Sequence, residues 1–93
     1  MPRQAKKAER DHLGRVAGLG CIVCRASAEV HHITGAGMGR RASHYDTIPL
    51  CPRHHRTGGH GVAVHAGTQT WESIFGKQTA LLARTRKMLG VSA

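Results

Sequence analysis

Cys21, Cys24, Cys51 and His54 form two ligand pairs, C-x-x-C and C-x-x-H, and no other feature restricts the fold of this chain as strongly. A tetrahedral zinc ion takes four thiolate or imidazole ligands, and a tight turn with ligands three positions apart supplies two of them. The two turns predict one structural zinc site, which obliges the chain between them to double back. A chain of 93 residues, with Tyr45, Trp71 and Phe75 as its large aromatic side chains, has little material for a hydrophobic core and needs such a staple. A thioredoxin-type redox pair would open a long helix within a βαβ unit, whereas Arg25 to Ala28 leads into a short strand. Two-Cys, two-His fingers place about 12 residues between their pairs. The interval from Cys24 to Cys51 is much longer, and it contains His31 and His32.

Three cysteines cannot all pair with one another, and the opening segment from Met1 to Arg15 is polar and basic, so a reducing, cytoplasmic setting is expected. No run approaches the roughly 20 apolar residues that cross a bilayer, and no membrane partner is expected. Fourteen Lys and Arg face five Asp and Glu, a formal charge of +9. Such an excess points to a polyanion, nucleic acid first, because basic side chains gain affinity by releasing counterions from phosphates. An acidic membrane surface would call for an aromatic amphipathic helix, which the sequence lacks. The plain alternative is a solvated basic surface.

Along the chain, residues 1–12 read as a basic arm or short helix carrying Lys6 and Lys7, and residues 13–93 as one domain. Ala28 to Ile33 suits a strand; Thr34 to Arg41 is a glycine loop presenting Arg40 and Arg41. Its spacing does not fit a dinucleotide fingerprint. Asp46 to Leu50 predicts a second strand, with Pro49 confining it to an edge or bulge. A helix is expected from Pro52, stopped by Gly58 and Gly59. Another, capped by Thr68 or Thr70, carries Trp71, Ile74 and Phe75 and breaks at Gly76. A last one spans Lys77 to Leu89, with Leu81, Leu82, Thr85, Met88 and Leu89 on one side.

Adjacent histidines on a strand point to opposite faces, so His31 and His32 can serve two roles. Phosphodiester hydrolysis needs a base for water and a cation for the charge that grows on the phosphate, and a His pair can supply both functions. An isolated His-His would ordinarily be two strand residues satisfied by hydrogen bonds. Here the run Cys21-Ile-Val-Cys24, then Glu29-Val-His31-His32-Ile, then Asp46-Thr-Ile-Pro-Leu-Cys51-Pro-Arg-His54-His55 resembles the HNH nucleases, also called ββα-metal or treble-clef nucleases, over about residues 19–67.

That resemblance implies an α+β fold: a zinc-stabilised treble clef with a ββα-metal core and a C-terminal helix. His32 resembles the general base, with His31 and His55 as ligands of a catalytic Mg²⁺ or Mn²⁺, Zn²⁺ being a further option. His54 goes to the structural zinc, although His54 and His55 stand side by side and spacing alone leaves their division open. Asp46 falls where the family has asparagine and is expected to orient His32. Where many members place a second helix histidine this chain has Gly59, which makes His65, and then His60, candidates for the site; His12 and His44 are expected on the surface or against nucleic acid.

The stretch from His54 through Gly67 to Trp71 and Gly76, with Gly37-Met38-Gly39, further resembles phage recombination-enhancement (Ref-type) nucleases, which implies DNA cleavage dependent on a RecA filament. Those enzymes carry a longer basic N-terminal segment. Under this reading Lys6, Lys7, Arg40, Arg41, Arg53 and Arg56 hold the DNA backbone without reading sequence. Two rivals from other classes are a non-catalytic zinc-finger module that binds nucleic acid and a small protein-interaction domain using the C-terminal helix. A second metal would argue against the first, and strong salt dependence of binding against the second.

Overall fold

The computed structural model describes residues 6–33 and 43–90. The glycine loop with Arg40 and Arg41 lies outside the described residues, as do the first five and last three positions. The fold is a small α+β domain: α1 (Lys7–Gly18), β1 (Glu29–His32), β2 (Thr47–Leu50), a π-helical turn at Arg53–Thr57, a 3₁₀ turn at Val64–Ala66, α2 (Thr68–Phe75) and α3 (Gln78–Leu89).

The first helix starts where Lys6 N–H donates to Glu9 Oε1, 2.8 Å away, supplying a partner at an end that otherwise has none. It runs straight through the division expected after residue 12 and packs on β2 and α3, so the second half of the basic segment belongs to the domain body. The strands pair antiparallel, with His31 opposite Ile48 and Val30 opposite Pro49. Both are edges of a two-stranded sheet, which is how β2 tolerates proline. Every residue of β2 is buried, because α1 and α3 both lie against it. The carbonyl of Pro49 accepts from Ile22 N–H at 2.9 Å, fastening the first cysteine turn to the sheet. In that turn Gly20 has φ +82°, and a side chain there would press on the carbonyl oxygen of Arg25.

Trp71 is fully buried and anchors the core despite the sparse aromatic content. Its indole N–H donates to Val62 O at 3.0 Å, tying the loop between the two short turns to α2. Around it gather Ile22, Ile33, Ile48, Leu50, Val64, Leu81 and Leu82, together with Cys21 and Cys51. The cysteines thus sit in the core, where a staple couples directly to packing. On the helices that carry them, Ile74 and Met88 are 57% and 38% exposed. Glu72 Oε2 accepts the backbone N–H of Gln78 at 2.7 Å and so begins α3 with a negative charge at its N-terminus.

A candidate metal centre

The first cysteine turn and the chain leaving β2 meet at four donors. Cys24 Sγ and Cys51 Sγ are 3.7 Å apart, and His54 Nδ1 lies 3.2 Å from Cys51 Sγ and 3.9 Å from Cys21 Sγ. Thiolates bound at about 2.3 Å to a tetrahedral ion stand about 3.8 Å from one another. These four side chains therefore fit a zinc-type ion in both donor chemistry and spacing. Burial raises the pKa of the Cys21 thiol, but hydrogen bonds from the backbone N–H groups of Cys51, Cys24 and Val23 outweigh it and leave the thiol below its usual value. That favours the thiolate which a metal needs. Phe75 meets the His54 ring edge to face at 5.3 Å and fixes its orientation.

Immediately beside this cluster the chain builds a second one. His54 turns toward the cysteines, while His55 turns the other way to meet His31 of β1 and His65 of the 3₁₀ turn, with one ring nitrogen from each of the three lying within 4.8 Å of the others. The π-helical turn that separates the neighbours closes through Gly58 N–H to Arg53 O at 2.9 Å. Only glycine fits there, since a Cβ would collide with that same carbonyl oxygen and with Val62 Cγ1. Gly58 and Gly59 thus do stop the helix expected from Pro52, after a single wide turn.

Hydrogen bonds to the outer nitrogens dictate which ring atoms point inward. Gln78 Oε1 can only accept, so His31 Nε2 carries the hydrogen of their 2.8 Å bond and Nδ1 keeps its lone pair. Glu29, two positions before His31 and on the same strand face, accepts from His55 Nδ1 and leaves His55 Nε2 free to coordinate. His65 Nε2 lies 3.0 Å from that atom. Neighbouring ligands of an ion bound at about 2.1 Å with right-angled geometry stand about 3.0 Å apart. The donor set, with a carboxylate and an amide behind it, fits a divalent cation held by three imidazoles.

For two of these donors the surroundings favour the neutral ring that a metal needs. Burial pushes the pKa of His31 down to about 4, against the smaller upward effect of Gln78. Burial and then the charge of His55 lower that of His65. Arg56 grips both oxygens of Glu29, with Nε to Oε2 at 2.7 Å and Nη2 to Oε1 at 3.1 Å. This guanidinium, and next the His55 ring, hold the Glu29 carboxyl down at about 2. A histidine whose folded pKa lies below its usual 6.5 binds fewer protons folded than unfolded, so stability rises with pH between those values. We expect the urea midpoint to fall as pH drops from about 6.5 to about 4, by on the order of 3 kcal/mol of stability, and then to level off for this group. In His31→Asn the slope over that window should flatten; an unchanged slope would remove His31 as its source. Glu29 acts with the same sign but in a lower window, between about 4.5 and about 2.

Other sequence-predicted residues fall differently. His32 faces away from this trio, and its Nε2 pairs with His44 Nδ1 at 3.0 Å. Burial, then the charge of His44, lower its pKa. Asp46 does not orient His32: its Oδ1 is bound by Arg86 Nη2 at 2.9 Å, because the turn before β2 faces α3. Arg56 grips Glu29, and the exposed Lys7 forms a surface pair with Asp11 at 2.9 Å. Lys6 and Arg53 are exposed. His60 Nδ1 bonds Ala66 O at 3.2 Å and braces the loop that carries His65. Glu29 and Gln78 are the residues that sequence reading passed over. Glu29 sits at a period of two from His31, a usable strand-face signal; nothing local marks Gln78.

Comparison with curated proteins finds no match for this chain. The family described as protein of unknown function (DUF968) matches residues 1–89, and the chain belongs to that family.

Proposed function

We propose that this protein is a metal-dependent DNA endonuclease of HNH type, a treble clef built on a structural zinc, with a RecA filament as its setting in phage recombination or repair. What carries the reading is the inward aim of three imidazoles, His31, His55 and His65, two of them fixed in tautomer by Gln78 and Glu29. A purely structural zinc module gives no reason for that second donor set. Three imidazoles without a carboxylate in direct contact favour Zn²⁺ or another transition ion over Mg²⁺.

A divalent cation supplies two things to phosphodiester hydrolysis: a more acidic water and neutralisation of the phosphate charge. The protein's own groups do the rest. Glu29 and Gln78 hold the rings so that no reorientation is needed when substrate arrives. His32, deprotonated at neutral pH, has Nδ1 left to accept a proton while Nε2 stays on His44. Arg53, exposed on the turn that bears His54 and His55, is placed to take a backbone phosphate.

The test is incubation of purified protein with supercoiled plasmid, single-stranded and branched DNA across Zn²⁺, Mn²⁺ and Mg²⁺, with and without a RecA filament, beside a metal count per chain. The expected result is two metal ions per chain and cleavage that is strongest with a transition ion. One ion per chain and intact DNA throughout would leave the zinc-finger binding module as the reading.

A further inference from the structure

Residues 43–46, the turn into β2, join His32 to a second group of side chains that the nuclease reading does not use. Tyr45 follows His44 and is 42% exposed. Its ring rests on that of His12 from α1, with centroids 4.9 Å apart and planes at 53°. Two arginines border the pair. Arg86 of α3 donates from Nη2 to Tyr45 O at 3.2 Å and to Asp46 Oδ1 at 2.9 Å, and Arg15 of α1 donates from Nη2 to Leu89 O at 2.9 Å. Both are pinned by backbone carbonyls, yet each guanidinium has five N–H donors and only some are used. The tyrosine hydroxyl has no hydrogen-bond partner among the described residues. Burial, then Arg15, then Arg86, lower the pKa of His12, so at neutral pH it offers a ring face and not a further charge.

An aromatic ring backed by a second ring, half open to solvent and flanked by fixed cations, is the arrangement on which a nucleobase stacks while arginines take its phosphates. A duplex keeps its bases stacked on each other and cannot present a face to such a ring. We propose that the His12–Tyr45 pair is a stacking platform for an unpaired base, with Arg15 and Arg86 on the adjoining phosphates, so that the protein engages single-stranded or splayed DNA. The proposal rests on the nucleic-acid reading above and names its substrate form. The turn that presents Tyr45 also presents His44 to His32, so a strand held on the platform is led toward the base assigned to the reaction.

The test is fluorescence anisotropy in a His55→Ala background, which keeps the structural zinc and cannot hold the second metal, using a labelled oligothymidylate and a duplex of equal length. In that background Tyr45→Ala and Tyr45→Leu should weaken single-strand binding by about tenfold or more, Tyr45→Trp should stay within about twofold of the protein with Tyr45 intact, and duplex affinity should barely move. His12→Ala, which removes the backing ring, should give a smaller loss of the same kind. Single-strand affinity unchanged in the Ala and Leu variants, or equal losses for both DNA forms, would overturn the platform. Because binding is read without cleavage, intact DNA in the nuclease assay together with Tyr45-dependent single-strand binding would remove the enzyme and leave the platform; cleavage with Tyr45-independent binding would do the reverse.

Discussion

Cys51→Val is expected to abolish the cooperative thermal transition, although valine matches the buried thiol in polarity and approximate size. Cys51 is 5% exposed within the core, and its sulfur is 3.2 Å from His54 Nδ1 and 3.7 Å from Cys24 Sγ. Packing loss from so small a change is worth about 1 kcal/mol. Structural zinc in small domains binds with about 10–16 kcal/mol of apparent free energy, whereas a domain of this kind has only about 5–15 kcal/mol of total stability. Removing a ligand therefore outweighs the whole margin, and circular dichroism should show an unfolded chain lacking stoichiometric zinc. His54→Cys, which rebuilds a four-thiolate set, should retain metal and fold. A Cys51→Val protein that melts cooperatively with no zinc would show that packing, not ligation, holds the domain.

Replacing the neighbours His54 and His55 by alanine should give opposite results. His54→Ala loses a ligand of the zinc-type cluster and should lower the melting temperature sharply. His55→Ala should keep that zinc and most of the stability, lose the second metal, and reduce any DNA cleavage by on the order of a thousandfold, since no other described side chain can replace its ring nitrogen between His31 and His65. Glu29→Gln retains an acceptor for His55 Nδ1 but not the charge, and should weaken the second metal by about 10–100-fold. Metal titration by calorimetry, with zinc counted separately, reads all three. Two equivalents of metal bound equally well by His55→Ala would dissolve the second site, whatever the protein does to DNA.

The placement of Arg56 follows from the same geometry. Sequence alone makes it one of several cations; in the fold it closes on Glu29, and that pair is the reason the carboxylate stays charged beside His55. Asp46 shows the converse. A position that resembles a catalytic one is drawn off to Arg86, 40 residues later, by the packing of α3 against β2. Resemblance transfers residue types, but the local partners of a side chain depend on which element lies across from it.

Cys21, Cys24 and Cys51, with a histidine at 54 or 55, were readable in the chain because ligand chemistry demands particular atoms, and a tight turn delivers two of them at a fixed spacing. The breaks at Gly58, Gly59 and Gly76 and the helix from about residue 78 were readable for the same reason, since backbone preference and periodicity act over a few residues. The orientation of the neighbouring imidazoles was not. Which of His54 and His55 meets the cysteines was decided by a π-helical turn whose tightness rests on Gly58. Which nitrogen of His31 and of His55 faces inward was decided by Gln78 and Glu29, 47 and 26 positions away. Gln78 has no local signature and Glu29 only its strand-face spacing from His31, because a hydrogen bond across elements exists only after the core around Trp71 has brought β1, the turns and α3 together.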